Sequence, residues 1–306
     1  MNLRIGVTDG DWFRFLASRP HLDEVNFWQP SGRHRFQALQ PGELFLFKLH
    51  APQNYIVGGG FFVHASLLPV DVVWQSFGEE NGAASYEEMR RRIVKYRRTP
   101  DDPRENPQVG CIILGDPFFL DESAWIPVPA DFTRNIVQGK NYDLRTSPGR
   151  ELWQEVLLRR EIRRAGTASD MPRPMFGEPV LVRPRLGQGA FRTLVTDVYQ
   201  RRCAVTGERA LPVLQAAHIR PVTQEGQHEI TNGLLLRSGI HTLYDRGYLT
   251  VTPDLRFRTS RRLKVDYDNG DDYRKYEGGQ LWVPADPAAR PDPRVLEWHA
   301  DRVFLK

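Results

Sequence analysis

The segment 203–247 constrains the fold of this chain more than any other part of the sequence. It holds two short apolar runs: the first leads into His218, and the second, residues 233–236, precedes His241 and Asp245. These runs and the turn residues between them predict a strand that ends in a histidine, a loop, a second extended run and a short helix. Because His241 and Asp245 are four residues apart, they would share one helix face and could hold one cation.

The same residues suit the hydrolysis of a phosphodiester. That reaction needs a nucleophile, charge neutralisation on the phosphoryl oxygens and help for the departing oxygen, and one divalent ion can supply the last two. A histidine with a pKa near its ordinary value of about 6.5 is a suitable base for water at neutral pH. The pattern therefore predicts a hydrolytic centre in which His218 is the base and His241 and Asp245 are metal ligands.

This order of residues, with CAVTG before it and NGLLL and LYDRG inside it, resembles the HNH (ββα-metal) endonuclease family. The resemblance covers roughly the last third of the chain. It implies three catalytic residues: His218 as general base, Asn232 as the brace of the loop that carries it, and His241 as a metal ligand. Asp245 stands where many members have a further ligand. The resemblance also implies double-stranded DNA as the substrate and Mg²⁺ or Mn²⁺ as the cofactor.

The sequence departs from the family pattern at two places. Ala217 stands where members often have a metal-binding aspartate or histidine, so the metal would depend on His241, Asp245, water and the DNA phosphate. Thr206 stands where a zinc knuckle would have its second cysteine after Cys203, so no structural zinc knuckle is expected.

The charge of the chain is distributed unevenly. Residues 1–143 contain 15 Lys+Arg and 18 Asp+Glu, whereas residues 144–306 contain 27 and 20, within a total net charge of +4. A basic second half suits contact with a polyanion, although a solvated helix face explains several of these residues nearly as well. The candidates for nucleic-acid contacts are Arg185, Gln188, Arg192, Arg220 and Arg246.

The length of 306 residues suggests two domains. We expect a first domain over 1–143, a linker over 144–184 with a helix at 151–164 and a Pro- and Gly-rich end, and a nuclease domain over 185–306. No apolar run approaches the length of a membrane span, and the start lacks the pattern of a signal peptide. A cytoplasmic location is therefore expected.

The first 143 residues combine turns, short β-type runs and aromatic residues, which predicts an α+β domain built on a curved sheet or a small barrel. One helix is predicted over 85–96, with Ser85 as its N-cap. The predicted strands are 44–49, 55–57 with 61–63, 109–114 and 124–126.

Four segments of this half, NFWQPSG, NYIVGGGFF, VVWQSFGEENG and VGCIILGDPFF, resemble the PUA-like superfamily with its EVE, YTH-type and SRA-type modules. The resemblance implies a pocket for a flipped, modified base, read by aromatic stacking and by hydrogen bonds to its edge. Glycines 58–60 are expected to let a ligand approach the backbone. The candidate pocket walls are Trp28, Tyr55, Phe61, Trp74 and Trp125.

Together these features predict a modification-dependent, type IV-like DNA endonuclease that senses a substituted cytosine with its first domain. Two alternatives remain open at this point. One is an HNH endonuclease without modified-base dependence, and the other is a catalytically silent DNA- or modified-base-binding protein, which Ala217 supports. A homodimer is a further expectation, because cutting both strands usually needs two active sites.

Overall fold

The computed structural model of the protein describes residues 1–97, 102, 104–165, 181–182, 184–268 and 270–306. The chain divides into two compact units, residues 1–186 and 187–306. Within the described ranges, no helix has both the length and the apolar character that crossing a membrane requires.

The described part of unit 1 contains one mixed sheet of seven strands. They are β1 (Asn2–Thr8), β2 (Glu24–Gln29), β3 (Leu44–Leu49), β4 (Tyr55–Pro69), β5 (Gln108–Phe119), β6 (Ile126–Pro127) and β7 (Gly139–Asp143). Their order is β2-β5-β4-β3-β1-β7, with β6 also paired to β4. Only the β1–β3 pair is parallel among these described pairings. A mixed sheet with helices confirms the predicted α+β class. Since β2 and β7 end the strand order without pairing to each other, the sheet is open and does not close into a barrel.

The helices described in unit 1 are α1 (Gly10–Ala17), α2 (Val70–Phe77), α3 (Tyr86–Arg97) and α4 (Gly149–Ala165). Two of them, α1 and α3, start at side-chain caps. Asp9 accepts a hydrogen bond from Trp12 N at 2.7 Å at the start of α1. The predicted N-cap of α3 is confirmed, because Ser85 Oγ accepts from Glu88 N at 3.2 Å. The Glu88 carboxylate in turn accepts from the N–H of Ala84, the residue before the cap, at 2.9 Å.

Glycines 58–60 serve strand packing within β4. A Cβ at Gly58 would lie 2.3 Å from Phe118 O, and one at Gly59 would lie 2.6 Å from Phe45 O. The missing side chains therefore let β3 and β5 approach β4, which corrects the expectation that they admit a ligand. The two separate runs predicted at 55–57 and 61–63 are joined into one strand across these glycines.

The two faces of the sheet carry separate cores. In β3, Leu44 and Leu46 point to one face and Phe45 and Phe47 to the other, as the two-residue period of a strand requires. Helix α1 covers the Phe45 face. Helix α4 packs against the Leu44 face through buried Leu152, Trp153 and Val156. The helix that the sequence placed in a linker is therefore part of the core of unit 1, and positions 166–180 and 183 of that linker lie outside the described residues.

Unit 2 has the strand–loop–strand–helix order that the sequence predicts. Its elements are α5 (Gln188–Val198), β8 (Leu214–His218), β9 (Gly233–Arg237), α6 (Ser238–Asp245), β10 (Leu249–Val251), β11 (Phe257–Thr259), α7 (Arg262–Tyr267), α8 (Asp271–Arg274) and α9 (Pro293–Arg302). Strands β8 and β9 are antiparallel, as are β10 and β11. Helix α5 ends at Val198, and shortly after it Gln200 and Arg201 have φ values of 51° and 55°, which an α-helix does not allow.

His299 on α9 is a buried histidine whose titration is expected to affect stability. Only 2% exposed, it donates from Nε2 to Tyr244 O at 3.2 Å, and its Nδ1 lies 2.9 Å from Thr250 Oγ1. Burial lowers the pKa of His299 to about 4. Between pH 6.5 and 4 the unfolded chain therefore binds more protons at this site, so stability is lost as pH falls through that range.

We expect the free energy of unfolding of the full chain, measured in denaturant, to fall between pH 7 and pH 4.5. The loss should be smaller in His299→Gln, which cannot titrate. His21→Gln, at an exposed histidine, serves as the control and should keep the wild-type pH dependence. Equal pH dependence in both variants would contradict this assignment.

Candidate active site

The β8–β9 hairpin presents His218 at its end. His218 is paired with Gly233, and the strand alternates so that Ala217 is fully buried in the core of unit 2 while His218 is half-buried. The ring of His218 stacks on Phe191 of α5, with 3.9 Å between centroids and 10° between planes. Local sequence thus makes the strand, and packing against α5 sets the direction of the ring.

The surroundings of His218 favour its neutral form. Burial, followed by the nearby His228 and His241, lowers the pKa of His218 to about 4. An imidazole with this pKa carries a free lone pair at neutral pH, which is the state that a general base needs. The Nε2 atom of His218 lies 3.0 Å from Nδ1 of His228.

Asn232 holds the loop between the two strands. Its Oδ1 accepts from Arg220 N at 2.9 Å, and its Nδ2 donates to Arg220 O and to Gln227 O, each at 2.9 Å. Asn232 itself is 5% exposed. Three hydrogen bonds thus join this one buried side-chain amide to the backbone of residues 220 and 227.

Helix α6 carries His241 and Asp245 on one face, with His241 Nε2 3.3 Å from Asp245 Oδ2. His241 Nδ1 lies 2.7 Å from Gln215 Oε1. Because an amide oxygen only accepts, Nδ1 carries a proton, and in the neutral form of His241 the lone pair is therefore on Nε2, the atom nearest the carboxylate. Burial lowers the pKa of His241, partly opposed by Asp245, and burial raises the pKa of Asp245.

This pair fits a divalent ion. Adjacent ligands at about 2.1 Å from an octahedral ion lie roughly 3 Å apart, close to the observed separation. Among the residues that the structure describes, no cluster of three His, Cys, Asp or Glu side chains forms a metal site. With Ala217 buried, the remaining ligands of an ion at His241 and Asp245 would be oxygens of water and phosphate.

The candidate phosphate-contacting residues lie on different elements of the two units. Gln188 and Arg192 share one face of α5, and burial lowers the pKa of Arg192. Arg220 is held within its own loop by Gln224 O at 2.6 Å and by the Glu225 carboxylate at 2.7 Å. Exposed Arg246 follows α6 directly, whereas exposed Arg185 belongs to unit 1.

Two residues near the histidines were missed from the sequence. His228 contacts His218 and Gln215 contacts His241, and neither residue was among the candidates from the sequence. The available signals were a second histidine in the loop between the base and Asn232, and one polar side chain in the otherwise apolar start of β8.

Unit 1 contains a cavity of about 340 Å³. Four aromatic side chains line it: Trp12, Phe27, Trp28 and Tyr96. The polar lining includes Asp9, which accepts from Tyr96 Oη at 3.3 Å. Trp28 is fixed there because its Nε1 donates to Asn81 O at 2.9 Å. Of the five predicted walls, Trp28 lines this cavity.

The other four predicted walls lie elsewhere in unit 1. Phe61 is 2% exposed within the core beneath α4. Trp125 donates from Nε1 to Leu120 O at 3.1 Å, and Tyr55 lies beside its ring with 6.0 Å between centroids. Trp74 is half-buried on α2. The expectation that these residues line one pocket with Trp28 is therefore corrected, because none of the four side chains lines the cavity that contains Trp28.

Residues 203–252 match the model of the HNH_2 family, described as HNH endonuclease. The resemblance read from the sequence is confirmed for this region, and unit 2 contains an HNH endonuclease region. None of the curated proteins matches the chain. The crystal structure of ASCH from Zymomonas mobilis is similar at 12% identity and a TM-score of 0.32, over 51% of this chain and 94% of that one. A modification-dependent TagI restriction endonuclease is similar at 14% identity and a TM-score of 0.28, over 99% of this chain and 83% of that one.

Proposed function

We propose that the protein is a metal-dependent DNA endonuclease whose cleavage depends on a modified base held by unit 1, as in a type IV-like restriction enzyme. The observation that carries the nuclease part is the arrangement of His218 at the end of the β8–β9 hairpin and the His241–Asp245 pair on α6, directly after β9. The cavity beside Trp28 supports the modified-base part. The proposed substrate is double-stranded DNA with a substituted cytosine, and the proposed location of the protein is the cytoplasm.

Residues of unit 2 have separate roles in the proposed hydrolysis. His218 takes a proton from the attacking water, and Asn232 keeps the loop after His218 in place. His241 and Asp245 would hold the divalent ion, either Mg²⁺ or Mn²⁺. When bound, that ion supplies positive charge to the phosphoryl oxygens and to the departing oxygen. Gln188, Arg192 and Arg246 are proposed phosphate contacts.

Gln215→Leu is expected to raise the metal concentration for half-maximal cleavage by about 10–100-fold, because an outer hydrogen bond orients a metal-binding histidine. The change removes the acceptor of His241 Nδ1 without touching the proposed ligands. A titration of cleavage rate against Mn²⁺ measures this. Gln224→Leu, at an exposed side chain of the neighbouring loop, is the matched control. An unchanged titration curve for Gln215→Leu would contradict the proposed role of His241.

The cavity of unit 1 suits one base. Its volume lies near the lower end of the range of ligand pockets, about 300–1,000 Å³, and aromatic rings with a few polar groups line it. Stacking of a base on an aromatic ring contributes about 1–3 kcal/mol. The proposed reader is therefore Trp28 with its aromatic neighbours, together with polar groups such as Asp9.

Trp28→Ala is expected to weaken binding of modified DNA by roughly 5–150-fold, the equivalent of that stacking free energy. Binding of the unmodified duplex should change little. Fluorescence anisotropy with matched oligonucleotides gives both affinities. Trp74→Ala replaces the same residue type outside the cavity and should leave both affinities unchanged. If the two variants behave alike, the cavity is not the reader.

The decisive assay for the whole proposal compares three DNAs that differ only in carrying cytosine, 5-methylcytosine or 5-hydroxymethylcytosine. Cleavage of a modified substrate alone supports the full proposal. Equal cleavage of all three keeps the nuclease and removes the modified-base dependence. Binding without any cleavage favours a silent binding protein, for which Ala217 is the motivating residue.

A homodimer is part of the proposal, since breaking both strands usually needs two active sites. Double-strand breaks whose rate rises more than linearly with protein concentration would support it. Products that are only nicked, formed at a rate proportional to protein concentration, would argue for a monomer.

A further inference from the structure

His218 and His228 form a hydrogen-bonded histidine pair in unit 2, with His218 Nε2 3.0 Å from His228 Nδ1. We propose that His228 is a positioning residue for the general base: it accepts the Nε2–H of His218 and so keeps the Nδ1 lone pair of His218 available for water. This inference rests on the proposed function for the role of His218, and the geometry of the pair stands apart from it.

The packing around the pair leaves the His218 ring little freedom. One face of His218 stacks on Phe191, and His228 meets it edge-on, with 4.9 Å between ring centroids and 65° between planes. Phe191 also contacts the His228 ring, at 5.8 Å between centroids. Both histidines are half-buried. The two imidazoles thus share one aromatic support, and their separation is set by packing as well as by the hydrogen bond.

One side chain, that of Asn232, fixes the loop backbone next to both histidines. Asn232 bonds to both backbone groups of Arg220, two residues after His218, and to Gln227 O, directly before His228. The loop is also tight, because a Cβ at Gly226 would lie 1.9 Å from Arg220 O. The brace that fixes the base therefore fixes its histidine partner in the same step.

The proton shared by the two histidines can be on His218 Nε2 or on His228 Nδ1, and only one of these positions leaves His218 able to act as a base. A neutral imidazole has one N–H and one lone pair, so a neutral pair joined by a hydrogen bond has one proton between its facing nitrogens. If that proton is on His228, the proton of His218 is on Nδ1 and no lone pair is left for water. If it is on His218 Nε2, the Nδ1 lone pair is free.

The second arrangement also accommodates the product of proton transfer. When water gives its proton to Nδ1, His218 becomes an imidazolium, and the hydroxide oxygen bonds to phosphorus as the bond from phosphorus to the departing oxygen breaks. The departing oxygen takes a proton from solvent. The Nε2–H remains donated to His228, as a hydrogen bond from a charged donor, which is stronger than a neutral one. His218 then releases the Nδ1 proton to solvent, and the pair returns to its starting state.

Two substitutions at position 228 show whether the residue acts by accepting a hydrogen bond from His218 or only by filling the space of the ring. Asparagine at 228 offers an amide oxygen near the position of Nδ1, whereas leucine fills space but accepts nothing. In full-length protein with its divalent metal, His228→Leu is expected to lower kcat at least about 10-fold, with the KM for DNA unchanged. A wrong histidine tautomer has cost up to about 10⁴-fold in a hydrolase. His228→Asn is expected to stay within a few-fold of wild type.

The tautomer itself provides a readout that does not depend on cleavage. Nitrogen-15 NMR of the full-length protein, with the His218 signals assigned by their loss in His218→Gln, should show the Nε2–H tautomer. His228→Leu should shift His218 toward a mixture of tautomers, and His228→Asn should not. Thermal unfolding of each variant checks that it folds. If His228→Leu does not fold, the tautomer of His218 in the wild-type protein decides whether the proposal stands.

Three results would overturn the proposal. They are a wild-type kcat in folded His228→Leu, equal losses in the asparagine and leucine variants, or an Nδ1–H tautomer of His218 in wild type. If the wild-type protein cleaves no DNA, the proposed function fails, while the NMR result still decides whether His228 sets the tautomer.

Discussion

His218→Ala is expected to lower the rate of DNA cleavage by about 10²–10⁴-fold, the usual contribution of a positioned general base. DNA affinity should be retained, because the change removes one half-buried imidazole and no arginine. Single-turnover cleavage with saturating Mn²⁺ measures the rate, and anisotropy measures the binding.

The control for this variant is His21→Ala, which removes an exposed histidine of unit 1. It should cleave like wild type. The loss of the ring that stacks on Phe191 also has a structural cost, so thermal unfolding must show that His218→Ala is folded. Near-wild-type cleavage by a folded His218→Ala protein would remove the assignment of the base.

Asn232→Ala is expected to lower both stability and cleavage. The substitution leaves Arg220 N–H, Arg220 O and Gln227 O without their amide partner. A buried polar group that loses its partner costs about 1–3 kcal/mol. Because Arg220 is half-buried and Gln227 is exposed, water can replace some of the lost hydrogen bonds, so the free energy of unfolding of unit 2 should fall by about this amount in total. Cleavage should fall as well, because the loop after His218 is no longer held.

Two further variants sharpen this test. Asn232→Asp keeps an acceptor for Arg220 N–H but loses both donated hydrogen bonds, so it should also be destabilised. Thr231→Ala, at the half-buried neighbouring position, is the control and should be close to wild type. Denaturant unfolding of the full chain gives these values. Unchanged stability in Asn232→Ala would show that the three hydrogen bonds contribute little.

Local features predicted much of unit 2. The apolar runs before His218 and before the His241 helix became β8 and β9, and the four-residue spacing of His241 and Asp245 placed both on one face of α6. Such features depend on neighbours within a few residues, which the sequence shows directly. The position of Asn232 in the loop belongs to the same category.

Aromatic residues in unit 1 were harder to interpret. A tryptophan or phenylalanine suits a core as well as a ligand pocket, so composition does not separate Phe61 in the core from Trp28 in the cavity. Helix α4 was similarly ambiguous. Its apolar positions predict a helix with a buried side, but they do not say that the sheet of unit 1 supplies the surface against which Trp153 packs.

The sequence alone was enough to predict the order of strand, loop, strand and helix in unit 2 and the α+β class, because periodicity and turn residues are local properties. Only the tertiary structure decided which side chains meet. His228 reaches His218, Gln215 reaches His241, and Trp28 shares a cavity with Tyr96. Each of these contacts joins residues at least ten positions apart along the chain. Strand pairing and packing decide them, and no local pattern records them.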